Sequence, residues 1–325
     1  MLRGTWGSFW MNDSIHIKDF AGNGIFRFFW PVITLVYWLG ASLLHLEFSK
    51  IIVSPVTIPL GPIEIQLGTP ANYSCHFAWS LLILGAFFVL FTAVKGKARL
   101  RTIIYWIIWG AAVYGTNRLL VFSPNEYAHY PQYALLAVLL VAWRDPHREK
   151  WPIGNLIFWG TALGVADELI QYLFICPSYG DYLDFNDFLL NELGIAAGLL
   201  LVYGFKEQGA AIKPLLPIYK TKAFKTIITS FAIVSLLILT DRLKITPPEM
   251  IPPGGFFAVN GRTALYLERK PGITGAWNHL GDGSAYYVLS PAAGLILLFA
   301  LGFLFASFDP RVLKRICRGR PMCLP

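Results

Sequence analysis

Charge is scarce in this chain. Only 14% of its 325 residues are Asp, Glu, Lys or Arg, and 55% are hydrophobic. That excludes disorder over most of the length, because a chain so rich in Leu, Ile, Val and Phe buries apolar surface readily. The formal charge of +8 would suit a nucleic-acid binder, but the cations sit in short loops between apolar runs, so no nucleic-acid partner is expected. No Gly-rich phosphate loop, serine-nucleophile elbow, c-type haem Cys-x-x-Cys-His or His-Glu-x-x-His is present. There is no tandem repeat, low-complexity tract or independent soluble domain. Cysteines number four. Cys317 and Cys323 lie in a basic tail without a metal pattern, whereas structural zinc normally takes four ligands. Cys75 and Cys176 read equally well as an outer-side disulfide in an oxidising compartment or as two unpaired residues at helix ends.

What the chain has instead is long apolar runs, the mark of a polytopic membrane protein. A helix needs about 20 apolar residues to cross a bilayer. Eight segments are candidates: 25–46, 76–94, 102–121, 129–143, 153–174, 187–205, 224–243 and 288–308, the fourth being the shortest and starting within the polar stretch Glu126–Tyr133. The first lacks a small-residue cleavage site after a short apolar stretch, so it reads as a retained helix and not a signal peptide. Trp6, Phe9 and Trp10 ahead of it suit the membrane interface. Basic residues then set the orientation. Lys95–Arg101, Arg144–Lys150, Lys206–Lys225 and Arg311–Arg320 alternate with loops that hold only Lys50, Lys244, Arg262, Arg269 and Lys270. The expected fold is therefore an all-α integral membrane protein of about eight helices, both termini cytoplasmic. Residues 56–67 alternate around Leu-Gly-Pro, and 256–267 place Asn260-Gly261 between β-prone runs, a type I′ hairpin signal. With the Pro- and Gly-rich stretch 244–287, these predict a small outer cap that bears β-hairpins.

Against this apolar background one stretch stands out. From Glu126 to Asn191 the chain places His129, Asp167, Glu168, Gln171, Asp184, Asp187 and Asn191 in or beside apolar segments. An ionisable group in hydrocarbon costs about 2.5–3.5 kcal/mol on insertion scales. The topology brings these residues to one depth, the outer ends of helices four, five and six. Glu168 and Gln171 are three apart, on one helical face. Asp184, Asp187 and Asn191 form a single stripe if helical, and Asp184 or Asn186 suits a cap. Arg118 and Asn117 lie toward the same end. His45, His76 and His279 are isolated in sequence and read as interfacial or loop residues.

His129 with Tyr133, Glu168-x-x-Gln171, and Asp184-x-x-Asp187-x-x-x-Asn191-x-x-Gly194-x-x-x-Gly198 together resemble the VanZ-like family of bacterial membrane proteins, whose biochemical activity is not established. The resemblance covers about residues 102–205, a four-helix core. Residues 1–101, with two helices and an outer hairpin loop, and 206–325, with two more helices, the loop 244–287 and a basic tail, lie outside it. The chain departs from the family pattern ahead of the histidine, where Asn125 and Glu126 replace an acidic and a basic residue. It departs again at Asp181, where many members carry arginine. Arg118 is a candidate to supply that cation in space.

Three readings of the cluster stand open. One is a pocket, made by Glu126, His129, Tyr133, Asp167, Glu168, Gln171, Asp184, Asp187 and Asn191, for a lipid-like or envelope-related ligand at the outer leaflet. A second is a hydrogen-bonded knot that only fixes helix packing, with Gly194 and Gly198 admitting a close neighbour. The third is a metal site for hydrolysis, for which no motif selects ligands. The leading expectation is a non-catalytic VanZ-like protein of the bacterial cytoplasmic membrane, with lipids as partners and no catalytic residues or cofactor assigned. The alternative is an accessory subunit of a larger respiratory or photosynthetic membrane complex.

Overall fold

Residues 24–60, 63–67, 69, 100–148, 151–178, 180–204, 218–281 and 283–309 are described in this computed structural model. The apolar runs among these residues become helices, the form that satisfies every backbone group without help from water. They are α1 (Gly24–Leu43), α2 (His45–Val53), α3 (Leu100–Leu119), α4 (His129–Arg144), α5 (Ile153–Ile170), α6 (Phe185–Tyr203), α7 (Lys222–Leu239) and α8 (Pro291–Ala306). A 3-10 turn, Pro124–Ala128, leads into α4, and a π-helical turn, Gln171–Ile175, continues α5. The strands are β1 (Val56–Leu60), β2 (Ile63–Leu67), β3 (Leu243–Lys244), β4 (Phe256–Val259), β5 (Arg262–Tyr266), β6 (Ala276–His279) and β7 (Ala285–Val288).

Among the described residues three helices are long and apolar enough to cross a membrane: α5 with its π turn, α6 and α7. The α1–α2 pair, bent by 61°, makes a fourth if it is one broken span. The expected span 288–308 is shorter than its apolar run, because β7 ends at Val288 and α8 has 16 residues. That is a rise of about 24 Å, against roughly 30 Å of hydrocarbon. α4 also has 16 residues. The expected span 76–94, Cys75 and His76 lie outside the described residues.

The axis of the bundle is α6. Every residue from Phe185 to Leu200 except Asp187 is buried, and the helix packs against α3, α4, α5 and α8. Contact with α4 is closest. A Cβ on Gly198 would lie 2.3 Å from the Ala134 carbonyl oxygen, and one on Gly194 2.8 Å from that of Tyr130. Backbone carbonyls cannot move aside as side-chain tips do, so only glycine fits, as the Gly-x-x-x-Gly pattern predicts. α1 joins the bundle through Tyr37 Oη, which donates to Gln132 O at 2.9 Å, and Trp38 Nε1, which donates to Leu163 O at 3.0 Å.

Both expected hairpins form. β1 pairs antiparallel with β2, and β4 with β5. Asn260 and Gly261 both adopt positive φ, 51° and 74°, as a type I′ turn requires. The second hairpin, with β3, caps one end of the bundle. Leu183 N donates to Leu267 O at 2.7 Å and Arg269 N to Asp181 O at 2.6 Å, stitching the cap to the loop before α6. Asn186 completes the join. Its Nδ2 donates to Leu120 O at 3.1 Å and Tyr287 O at 2.9 Å, and its Oδ1 accepts from Leu289 N at 3.0 Å.

Gly198→Ala should therefore destabilise the protein by about 1–3 kcal/mol, seen as a lower melting temperature in detergent. Gly110→Ala, which meets nothing within 4 Å, should not. Equal stability of the two variants would contradict the α4–α6 contact described above.

Candidate functional site

Four segments carry the polar cluster to the cap end of the bundle. The 3-10 turn brings Glu126, α4 brings His129 and Tyr133, α5 brings Asp167 and Glu168, and α6 brings Asp187 and Asn191. Glu126, His129, Tyr133, Asp167, Glu168, Gln171 and Asn191 are all buried, and Asp184 and Asp187 are half-buried. The close approach of α6 to α4 is what places Asn191 against His129. Gly164 on α5 keeps that junction open, since a Cβ there would meet Asn191 and Tyr133 at 3.1–3.2 Å.

At the centre runs a hydrogen-bonded chain. His129 Nδ1 lies 2.7 Å from Asn191 Oδ1, and Asn191 Nδ2 donates to Glu168 Oε1 at 3.1 Å. Because the Asn191 amide nitrogen serves Glu168, its oxygen accepts from His129 Nδ1–H. In the neutral ring that tautomer puts the lone pair on Nε2, which lies 3.8 Å from Asp187 Oδ2, while Nδ1 is also 4.0 Å from Glu168 Oε1. Beside the chain, Tyr133 Oη donates to Asp167 Oδ2 at 2.5 Å. These are the cross-helix pairs a structural knot would use.

The rest of the cluster is not paired. Neither carboxylate oxygen of Glu126 has a hydrogen bond of ordinary geometry, the amides of Phe122 and Ser123 being its nearest donors, and Asp167 Oδ1, Asp187 Oδ1 and Gln171 Nε2 are also buried without partners. Among the described residues no lysine or arginine forms an ion pair with any of these carboxylates. Burial pushes the Glu126 carboxyl well above its ordinary range, and the Asp187 and Asp184 charges push it further, with a smaller opposing pull from the backbone amides of Phe122 and Ser123. Burial likewise raises Asp184 to about 8, with Asp187 adding to it.

Several positions differ from the sequence expectation. Asp184, of the two cap candidates, is the one that caps α6, with extended backbone and accepting from the Asn186 and Asp187 amides, so the helical stripe begins only at Asp187. Asn186 is therefore free for the cap-to-bundle bonds above. Gln171 opens the π turn and bonds neither to Glu168 nor to Asn191 among the described contacts. Arg118 is exposed and reaches neither Asp184 nor Glu126. The cation beside Asp181 comes from the cap instead. Arg269, 5% exposed, donates through Nη1 to Pro177 O at 2.6 Å and Gly180 O at 3.1 Å.

His45 was the residue that sequence reasoning missed. The bend between α1 and α2 sets its ring 6.1 Å from that of His129. Only its depth is legible in the sequence, where His45 ends the first apolar run on the side expected for His129; its approach to that ring is not. His279 is exposed in β6, and Cys176 is a free, half-buried thiol.

No family model, curated protein or solved structure matches the chain. The geometry alone thus separates the bonded half of the cluster from the unbonded half. Asn191→Ala strips a partner from both His129 and Glu168 and should cost about 1–3 kcal/mol. Gln171→Met, which removes an amide nitrogen that bonds to nothing, should cost less than about 1.5 kcal/mol. Melting temperatures in one detergent decide this, and the reverse order would contradict the assigned bonds.

Proposed function

We propose that this chain is a VanZ-like, multi-pass protein of the bacterial cytoplasmic membrane that binds a lipid-like or envelope-related ligand through its acidic cluster and does no chemistry on it. The observation that carries this reading is the set of buried carboxylate oxygens on Glu126, Asp167 and Asp187 without a protein partner. A knot built only for packing has no use for them, since each unsatisfied buried group costs about 1–3 kcal/mol. A ligand that brings ammonium, amide or hydroxyl donors to this end of the bundle satisfies them.

The motif order from His129 to Gly198 supports the family resemblance, and the helices long and apolar enough to cross a membrane support the multi-pass form. Eight spans with both termini cytoplasmic follow from the alternation of basic loops, which assigns the cap and the cluster to the outer leaflet.

One observation favours a second reading, an accessory subunit of a larger membrane complex. α7 is an 18-residue helix with only Ala223 buried, so nearly its whole surface is offered to lipid or to another protein. Co-purification of stoichiometric partners in mild detergent would select that reading.

The ligand reading is tested with Glu168→Gln, His129→Ala and Asp187→Asn, each checked for membrane insertion and monodispersity. Native mass spectrometry of the wild type should show a retained lipid-like species, reduced at least about tenfold in these variants, in line with the loss of a charge-assisted contact. If all three insert stably and keep both the bound species and the cellular phenotype, the pocket reading is wrong.

A further inference from the structure

The cluster contains three groups arranged as metal ligands. One nitrogen of His129 and one carboxylate oxygen each of Glu168 and Asp187 all lie within 4.8 Å of one another. A tetrahedral site with bonds of about 2.0–2.2 Å holds its ligand atoms roughly 3.4 Å apart. Closing the set around an ion therefore takes a shift of up to about 1.4 Å between ligand atoms. The donors come from α4, α5 and α6, so the bundle itself holds them.

The surroundings carry the argument further. A histidine that ligates a metal through one nitrogen donates its other N–H to a neighbour that fixes the ring. His129 does so, with Nδ1 held at 2.7 Å by Asn191 Oδ1 and Nε2 turned toward Asp187. The same asparagine orients the second ligand through its 3.1 Å bond to Glu168 Oε1. One side chain thus positions two ligands from two other helices. Independently, both oxygens of Glu126, a residue only 6% exposed, lack partners. Glu126 stands on the 3-10 turn that leads directly into His129 at the start of α4.

We infer that His129, Glu168 and Asp187 bind a divalent metal ion, with Glu126 beside it and Asn191 as the positioning residue. One imidazole with two carboxylates suits a first-row dication such as Zn2+ better than Mg2+ or Ca2+, which take oxygen alone, and Mn2+, the weakest binder of the first-row series, accepts the same mixed donors. Three protein ligands leave a position open for water or for an oxygen of the ligand. This rests on reading the cluster as a ligand site, and it names the ion that site takes.

Mn2+ is the probe, because thiolates such as those of the cysteines compete poorly for it. Full-length protein in detergent, stripped with chelator, is titrated with Mn2+ and followed by electron paramagnetic resonance. One tight Mn2+ per chain is expected, with 14N coupling from a single imidazole in the pulsed spectrum of the wild type. Glu168→Gln, Asp187→Asn and His129→Gln should each weaken binding at least tenfold, and Asn191→Ala by about 10–100-fold. Glu249→Gln, an exposed cap carboxylate, should change nothing. Absence of a tight ion, absence of imidazole coupling, or binding unchanged in the ligand variants overturns the inference. The wild-type spectrum decides even if a variant fails to fold. If Mn2+ fails to bind while Glu168→Gln still loses the retained lipid-like species, the metal falls and the pocket stands. Mn2+ binding with unchanged lipid retention means the reverse.

Discussion

The contact on which the rest of the structure depends is the meeting of two helix backbones. Gly194 and Gly198 let α6 touch the carbonyls of Tyr130 and Ala134 on α4. Lipid tails are as apolar as leucine, so burial alone gives such helices little reason to associate, and close van der Waals packing with interhelical bonds must do it. Everything at the cap end follows from that approach. Asn191 is one turn before Gly194, so it arrives beside His129, and Glu168 on α5 comes within its reach. Moving α6 out by the width of a methyl group would break the chain of bonds from His129 to Glu168.

Magnitudes decide how the polar cluster should be regarded. A hydrogen bond between membrane helices contributes about 0.6 kcal/mol on average. Two ionised carboxylates whose oxygens lie up to 4.8 Å apart repel by about 3.5 kcal/mol at an effective dielectric of 20. The few internal bonds therefore do not offset the repulsion among Glu126, Asp167, Glu168, Asp184 and Asp187. Protons or a cation must neutralise them. Among the described residues no lysine or arginine pairs with these carboxylates, so His129 is the basic side chain within reach of them. Asp181 fits the same pattern. Beside it Arg269 reaches in from the cap and is used on the backbone carbonyls of Pro177 and Gly180, so it does not neutralise the cluster.

The helices and hairpins were legible in the sequence because each rests on local chemistry. Apolar runs specify α1, α3, α5, α6 and α7, Asn260-Gly261 specifies its turn, and the glycine spacing on α6 specifies its close neighbour. What depends on long-range geometry was not legible. The bend that brings His45 to His129 has no local signature, and only the fold shows Asn186 tying α3, β7 and the start of α8 to α6. The part played by Arg269 likewise needed the cap to be docked. The cluster's residues were found by their cost in hydrocarbon, but which of them are bonded and which are not appears only once the side chains share one space.

The most direct test of a cation site is a density map of the protein in lipid bilayer, from material prepared with Mn2+ and without chelator. The account predicts density between His129 Nε2, Glu168 and Asp187, with Asn191 bridging His129 and Glu168 behind it. A map that shows these carboxylates bonded to one another, with no density between them, would contradict it.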